Sequence, residues 1–318
     1  MALKGRLAAI ALLTLCTPAL VLSVQQSPGL DDGAIKLNTR WVNLNISATD
    51  HQGKKVTQLK REDFVILEDG VPQEIVHFAP VDAPVNLVLL LDLSGSIGSK
   101  LKAMKKAANR FVDSLKDNDR MAMAVFTSRF KLVADFTGDH KRLKDCIDHI
   151  KHPGGGTALY DAEWKTLDLL RGIQEARRAI VVLTDGVDSS FRPDDDDAGS
   201  THRFDELLTR AAEEDTTIYP IYFDTEADWV HHYSRENYTE ARQQLRSLAE
   251  QTGGAYFAAR RIEDLDGVYR LVAEELHALY SLAYAAKDTR KDGRFRAIKL
   301  KVNREGIVAK TRRGYFAQ

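Results

Sequence analysis

The stretch that decides the fold is the run Leu87-Val88-Leu89-Leu90-Leu91, followed at once by Asp92-Leu93-Ser94-Gly95-Ser96. The apolar run does not alternate with polar residues, which is typical of a strand buried on both faces. A second such run lies at Ala179-Ile180-Val181-Val182-Leu183. Strands of this kind belong to parallel sheets that are covered by helices on both sides.

Around these two runs, strand-like and helix-like segments alternate along the chain. Further strands are predicted at 121–126, 132–136, 217–223 and 255–257, and helices at about 99–116, 139–150, 158–171, 203–214, 238–251 and 263–278. Alternation of this type predicts an α/β domain with a doubly wound, mostly parallel sheet. We place that domain at residues 85–280.

The flanking segments have a different, β-rich pattern. Strands are predicted within 34–79 and at 281–286, 294–302 and 307–316, with an Asp-Gly hairpin turn at Asp69-Gly70 between 64–67 and 75–78. Neither flank has enough strands to bury a face well by itself. We therefore expect residues 30–82 and 281–318 to pair into one small β-sandwich with the α/β domain inserted, the alternative being two independent flanking elements.

The N-terminus has the pattern of an export signal. Lys4 and Arg6 precede an apolar run from Leu7 to Leu15 and then small and turn residues up to Ser23. We expect residues 1–23 to be a cleaved signal peptide, with an uncleaved N-terminal anchor as the alternative, and no membrane span in the mature chain. The protein is then exported, to the periplasm or the extracellular space.

Charge and cysteine content narrow the functional classes. The formal net charge of −1 gives no electrostatic case for binding nucleic acid or an anionic membrane. Of the two cysteines, Cys16 lies in the predicted signal, which leaves Cys146 without an intramolecular disulfide partner. Cys146 lies on the apolar face of a predicted helix, where an inert buried thiol is expected.

Three short polar segments are the candidate functional site. They are Asp92-Leu93-Ser94-Gly95-Ser96 after the first buried strand, Gly154-Gly155-Gly156-Thr157 before a helix, and Thr184-Asp185-Gly186 after another buried strand. Ligands of open α/β sheets bind at the carboxyl ends of the strands, where the strand order reverses. The three segments are therefore expected to meet at one edge of the sheet.

The residue types indicate a divalent cation. Asp92, Ser94, Ser96, Thr157 and Asp185 provide two carboxylates and three hydroxyls, with no histidine or cysteine. Hard oxygen donors of this kind suit Mg²⁺, with Mn²⁺ or Ca²⁺ as alternatives, and exclude a typical zinc site. So few charged ligands leave a cation strongly electrophilic, and an external carboxylate is a natural additional ligand.

The order of these motifs resembles the metal-ion-dependent adhesion site of von Willebrand factor A domains. The resemblance covers roughly residues 85–280 and implies that Ser94, Ser96 and Thr157 bind the metal directly. It implies that Asp92 and Asp185 bind the metal mainly through water. The expected partner is a protein that presents an Asp or Glu side chain.

The flanks are also similar to one family, the bacterial VWFA-related Acidobacterial domain family. The similarity rests on Asp63-Phe64-Val65-Ile66-Leu67-Glu68-Asp69-Gly70-Val71-Pro72-Gln73 and on Arg313-Gly314-Tyr315-Phe316. It extends over nearly the whole mature chain. It implies an exported protein but does not identify the partner.

Each of these segments also has a plain structural explanation. Taken singly, the first and second could be helix caps and the third an ordinary turn. The acidic run Asp194–Asp197 is expected to be a solvated loop, with calcium binding as the alternative. His231-His232 with Asp228 hints at a second metal, but an exposed polar insertion is favoured.

Three functions are compatible with the sequence. The favoured one is a non-enzymatic binding module in which the metal bridges to a partner's carboxylate. A Mg²⁺-dependent hydrolase is disfavoured because Ser94 stands where such a site usually has a second aspartate, and because no phosphate-cradling Gly-x-x-x-x-Gly-Lys-Ser/Thr segment is present. The third is a structural envelope protein whose metal only stiffens the edge of the sheet.

Overall fold

The computed structural model describes residues 41–317, apart from residues 82, 174–176, 193–198 and 230. The predicted signal peptide, Cys16 and residues 30–40 of the first β segment lie outside these residues, as does the acidic run Asp194–Asp197. The strands are β1 (Trp41–Asp50), β2 (Phe64–Glu68), β3 (Val71–Gln73), β4 (Ile75–Ala79), β5 (Val85–Asp92), β6 (Arg120–Phe126), β7 (Phe130–Thr137), β8 (Arg177–Thr184), β9 (Thr217–Phe223), β10 (Phe257–Ala259), β11 (Leu279–Ala285), β12 (Phe295–Val302), β13 (Ile307–Lys310) and β14 (Gly314–Phe316). The helices are α1 (Leu101–Asp113), α2 (His140–His149), α3 (Leu159–Arg171), α4 (Phe204–Glu213), α5 (Glu226–Trp229), α6 (Arg235–Thr252) and α7 (Leu265–Leu276).

The predicted α/β sheet is present and has six strands within the described residues. Their order is β10-β9-β8-β5-β6-β7, and every neighbouring pair is parallel except β6 with β7. The chain moves outward from β5 to β6 and later returns to β8 on the other side of β5. The strand order therefore reverses between β5 and β8, which is where the first and third motifs end.

Both faces of this sheet are covered, as the unbroken apolar runs predict. Leu87, Leu89 and Leu91 of β5 pack in one core cluster with α1, α2 and α7. Val88 and Leu90 pack in a second cluster with α3, α4 and α6. Two-sided burial fixes β5 in place, so that the polar residues directly after it are held at a defined position on the sheet edge.

The flanking strands form two four-stranded sheets, ordered β13-β1-β11-β4 and β14-β12-β2-β3. Each sheet contains strands from before and after the α/β region, and one hydrophobic cluster includes residues of both sheets. The buried Glu68 of β2 accepts hydrogen bonds from Tyr284 Oη (2.5 Å) on β11 and Tyr315 Oη (2.8 Å) on β14. The fold class is thus an α/β sheet combined with a small β-sandwich.

Among the differences from the sequence predictions, three concern strand pairing and the start of α1. The turn at Asp69-Gly70, with φ of 49° and 82°, joins β2 to the short β3, whereas β4 pairs in the other sheet. The predicted strand 307–316 is two strands in different sheets, because the chain crosses between the sheets at 311–313. The helix predicted to start at 99 begins at Leu101, after a 3-10 helix over Gly95–Lys100.

A buried arginine joins the α/β sheet to the chain segments that enter and leave it. Arg177, at the start of β8, donates to the carbonyls of Val81 and Ala83 before β5 and of Leu276 and Leu279 after α7. Hydrogen bonds from a charged donor are stronger than neutral ones. Arg177 therefore fixes the two connections between the sandwich and the α/β sheet.

We found no membrane-crossing helix in the part of the chain that the structure describes, since none of its helices is both long and apolar enough.

Candidate functional site

The predicted metal ligands lie at the carboxyl edge of the six-stranded sheet. Asp92 is the last residue of β5, and Asp185 follows the last residue of β8. Their strands are neighbours in the sheet. Asp92, Ser94, Thr157 and Asp185 are buried, and Ser96 is half-buried. The fold thus brings segments that are far apart in sequence to one polar, mostly buried location.

Four of the five side chains form a connected hydrogen-bonded set. The hydroxyl oxygens of Ser94 and Ser96 are 3.2 Å apart. Ser94 also hydrogen-bonds the carboxylate of Asp92, and Ser96 that of Asp185. The four oxygen-bearing groups therefore converge as the sequence motif predicts.

Thr157 reaches this location through its loop. The Gly95 amide donates to the Gly155 carbonyl (3.1 Å), which joins the first loop to the second. The Thr157 backbone is held by Ser189, whose Oγ accepts from the Thr157 amide (2.8 Å) and whose amide donates to the Thr157 carbonyl (2.9 Å). Among the described residues we find no hydrogen bond to the Thr157 hydroxyl, which leaves that oxygen available to a ligand.

Two threonines that the sequence did not single out as site residues orient the carboxylates. Thr184 Oγ1 donates to Asp92 Oδ2 (2.6 Å), and Thr225 Oγ1 donates to Asp185 Oδ2 (2.6 Å). The other oxygen of each carboxylate accepts a backbone amide, from Ser94 (2.8 Å) and Val187 (3.1 Å). Thr184 is part of the third motif. Thr225 is forty residues away, and its only sequence signal is that it follows a predicted strand.

The loop before α3 is held by a fully buried aspartate. Asp188 Oδ2 accepts from the Leu159 amide (2.8 Å) at the start of α3 and from Ser200 Oγ (2.6 Å). Asp188 Oδ1 accepts the amides of Ser190 and Ser200, each at 2.9 Å. Asp188 is therefore satisfied by neutral donors and acts as a structural support for the loop that carries Thr157.

The location of the two candidate ligand carboxylates disfavours their ionised form. Burial, with a further contribution from the negative charge of Asp185, raises the pKa of Asp92 from 3.8 to about 7. Burial likewise raises the pKa of Asp185, although its hydrogen bonds to Thr225 and Ser96 oppose the increase. Two close, buried carboxylates destabilise each other's ionised form unless a positive charge compensates them.

This arrangement fits a hard divalent cation. The donors are all oxygens, the carboxylates are held by hydrogen bonds, and burial raises the pKa of both carboxyl groups. Lys100 is the cation that most lowers the pKa of Asp185, but its ammonium pairs with Asp228 (2.5 Å). An octahedral Mg²⁺ with few protein charges and several waters is compatible with such a donor set.

Asp228, His231 and His232 do not form a second metal site. Among the described residues, no group of three or more His, Cys, Asp or Glu side chains is arranged to hold a metal. Asp228 instead pairs with Lys100, and His232 packs against Trp229 with ring centroids 4.5 Å apart. Cys146 is a free thiol, half-buried beside the core on α2 instead of fully buried.

Comparison with known proteins agrees with this fold. Residues 87–187 match the family model of the von Willebrand factor type A domain. An uncharacterized protein of Synechocystis sp. is 31% identical over 150 residues, which are 44% of this chain and 32% of that protein. A UPF0353 protein of Nocardia farcinica is 26% identical over 213 residues, which are 60% of this chain and 62% of that protein.

Similarity among solved structures extends beyond the matched region. The von Willebrand factor type A structure from Catenulispora acidiphila aligns with a TM-score of 0.51 and 13% identity, over 86% of this chain and 73% of that one. At this identity the likeness concerns the fold. The matches to the first three curated relatives span 32%, 36% and 62% of the length of those proteins.

Proposed function

We propose that this chain, which contains a von Willebrand factor type A domain, is an exported binding protein that uses one Mg²⁺ to engage a carboxylate of a protein partner. The observation that carries the proposal is the pair Asp92 and Asp185. These carboxylates are buried side by side at the strand-order reversal, and burial raises the pKa of both, with a further contribution from the charge of Asp185 to the pKa of Asp92. Two ligand hydroxyls, Ser94 and Ser96, complete the connected set.

In this proposal Ser94, Ser96 and Thr157 hold the cation directly, and Asp92 and Asp185 hold it mainly through water. When bound, Mg²⁺ supplies positive charge and an electrophilic coordination position for an external Asp or Glu. The chain's own residues orient that position: Thr184 and Thr225 fix the carboxylates, and the Gly95–Gly155 hydrogen bond fixes the loops. Mn²⁺ or Ca²⁺ could take the same place.

A binding role fits this site better than hydrolysis. The connected donors are hydroxyls and carboxylates, and the carboxylates are held by threonine hydroxyls and backbone amides. A hydrolase also needs a poised nucleophile or general base. His152 contacts a motif loop, but its Nε2 lies 2.9 Å from the Ser94 carbonyl oxygen. We therefore propose that the protein is not an enzyme.

Calorimetric titration of the purified full chain with Mg²⁺ tests the metal site. We expect one ion per chain for the wild type and for Asp145→Asn, a control at an exposed aspartate of α2. We expect no uptake for Asp92→Asn. The proposal is wrong if the wild type takes up neither Mg²⁺ nor Mn²⁺.

The binding role is tested separately by affinity capture from the envelope and secreted fractions of the native source. A partner should be retained with Mg²⁺, lost with EDTA, and lost with Thr157→Ala even though that variant unfolds at the wild-type temperature in EDTA. Retention of the same partner by metal-free protein would instead favour a purely structural metal. A panel of phosphate esters assayed with Mg²⁺ tests the hydrolase alternative, and turnover that Asp92→Asn abolishes would support it.

A further inference from the structure

A short segment between β9 and α6 lies against the candidate metal site. We define the strap as Asp224–Trp229 together with His232 and Tyr233. Two polar contacts anchor it to the site: Thr225 Oγ1 donates to Asp185 Oδ2 (2.6 Å), and Asp228 pairs with Lys100 (2.5 Å) at the end of the 3-10 helix that carries Ser96. Within the strap, the amides of Asp228 and Trp229 donate to the Thr225 carbonyl. The strap is therefore tied directly to the aspartate and serine loops.

A third contact brings an aromatic ring to the loop between two ligand hydroxyls. A Cβ added to Gly95 would lie 2.9 Å from Cη2 of Trp229 and 3.4 Å from its Cζ2. The indole thus occupies the space that a side chain at position 95 would need. Gly95 stands between Ser94 and Ser96, whose hydroxyls converge on each other. Trp229, which is distant in sequence, therefore packs directly against the loop that carries Ser94 and Ser96.

The polar groups of the strap are largely occupied by its own contacts. Asp228 pairs with Lys100, Glu226 pairs with Arg242 (3.1 Å), and Asp224 Oδ1 accepts the Glu226 amide (3.1 Å). The aromatic surface remains: the Trp229 and His232 rings pack at 4.5 Å, and His232 is exposed. Because Lys100 and Arg242 are already paired with Asp228 and Glu226, a second negative charge on a ligand gains little from them, whereas the rings favour an apolar or aromatic neighbour.

We infer that the strap selects the ligand of the metal, and that the preferred ligand is a single carboxylate carried on an aromatic or apolar group. Trp229, supported by His232, contacts that group while the cation takes the carboxylate. This inference rests on the proposed metal-binding function and adds the class of ligand. An acidic residue of a partner would accordingly be flanked by apolar side chains, not by further acidic ones.

Three small carboxylates test this selectivity on the Mg²⁺-loaded full chain. Acetate supplies the carboxylate alone, phenylacetate adds an aromatic ring, and succinate adds a second charge. Dissociation constants are measured by ligand-detected NMR. Aromatic contacts of this kind should make phenylacetate bind about three- to tenfold more tightly than acetate, with succinate no tighter than acetate.

Substitutions then assign the preference to the strap. Trp229→Ser should make the dissociation constants of phenylacetate and acetate about equal, whereas Trp229→Phe should keep most of the preference for phenylacetate. His232→Ala should lower it partly. Trp164→Phe is the matched control, because Trp164 packs against His202 and Arg210 between α3 and α4, away from the strap, and should leave the preference unchanged. If Trp229→Ser fails to fold, His232→Ala still carries the test.

The outcomes separate the inference from the proposed function. Uptake of Mg²⁺ with equal affinity for acetate and phenylacetate overturns the inference and leaves the metal site standing. A preference that persists in Trp229→Ser, or that His232→Ala leaves undiminished, assigns selectivity elsewhere and also overturns it. Absence of any Mg²⁺ uptake by the wild type refutes both together.

Discussion

Replacing Asp92 by asparagine should stabilise the metal-free protein at high pH and abolish its stabilisation by Mg²⁺. Asp92 is fully buried, and its carboxylate lies near that of Asp185. Asparagine has nearly the same shape and retains an oxygen to accept the Ser94 amide. It removes the buried negative charge, which is the feature that the proposed cation compensates.

The size of the effect follows from the raised pKa. An increase from 3.8 to about 7 corresponds to about 4 kcal/mol, at about 1.4 kcal/mol for each pH unit. Because the folded state holds the proton more tightly, ionisation costs no folding free energy below pH 3.8. The loss of folding free energy caused by ionisation of Asp92 grows between about pH 4 and about pH 7 and reaches its full value above about pH 7. Asparagine weakens the hydrogen bond from Thr184, which costs about 1 kcal/mol, so a net gain of about 3 kcal/mol is expected at pH 8.

Urea unfolding at pH 4, 6 and 8 in EDTA measures this difference, and comparison of Asp92→Asn with the wild type cancels the titration of other groups. The gain should be near zero at pH 4 and largest at pH 8. Adding Mg²⁺ at about one hundred times its dissociation constant should stabilise the wild type by about 2.7 kcal/mol and the variant by nothing. A variant that is no more stable than the wild type at pH 8 in EDTA, or equally stabilised by Mg²⁺, would refute the reasoning.

Three further outcomes are expected. Thr157→Ala should abolish stabilisation by Mg²⁺ yet leave the metal-free unfolding free energy within about 1 kcal/mol of wild type in urea titrations, and a larger loss would show that the hydroxyl is structural. Thr225→Val should weaken Mg²⁺ binding by roughly tenfold to a hundredfold in calorimetry, whereas Thr239→Val on the exposed face of α6 should not. Glu163→Leu should raise the free energy of unfolding above that of the wild type by up to about 5 kcal/mol at pH 9 and leave it about equal at pH 4. The reason is that burial raises the pKa of Glu163 to about 8, and its oxygens have no hydrogen-bond partner among the described residues. A stability difference between variant and wild type that stays the same from pH 4 to pH 9 would contradict this reasoning.

Patterns that depend on local sequence were predicted well. The strand at 217–223 coincides with β9, and helices at 139–150 and 158–171 match α2 and α3 to within one residue at each end. These elements have strong apolar periodicity, so packing and local preference agree. The α/β fold also follows from the apolar pattern, since uninterrupted apolar runs indicate strands of a sheet that is covered on both faces.

Errors arose where strand pairing, not pattern, decides the structure. The Asp69-Gly70 turn was recognised, but Val71–Gln73 is too short and too exposed to be identified as its second strand. The division of 307–316 between two sheets depends on β13 pairing with β1 and β14 pairing with β12, which are long-range contacts. The three-residue crossing at 311–313 has no strong turn signal in the sequence.

In the candidate site, too, local motifs predict part of the structure and long-range contacts determine the rest. The motifs identify oxygen donors, whereas the groups that set the behaviour of those donors come from elsewhere: Thr225 holds Asp185, and Trp229 fills the space beside Gly95. Both belong to the strap, which the sequence indicated only as a polar insertion. Two domains with the same five donors would therefore hold the same cation and differ in the carboxylate they accept, because a residue outside the motifs forms the surface that a ligand meets. Ligand selectivity in this chain should accordingly follow the strap, and transfer of the strap alone should transfer the preference.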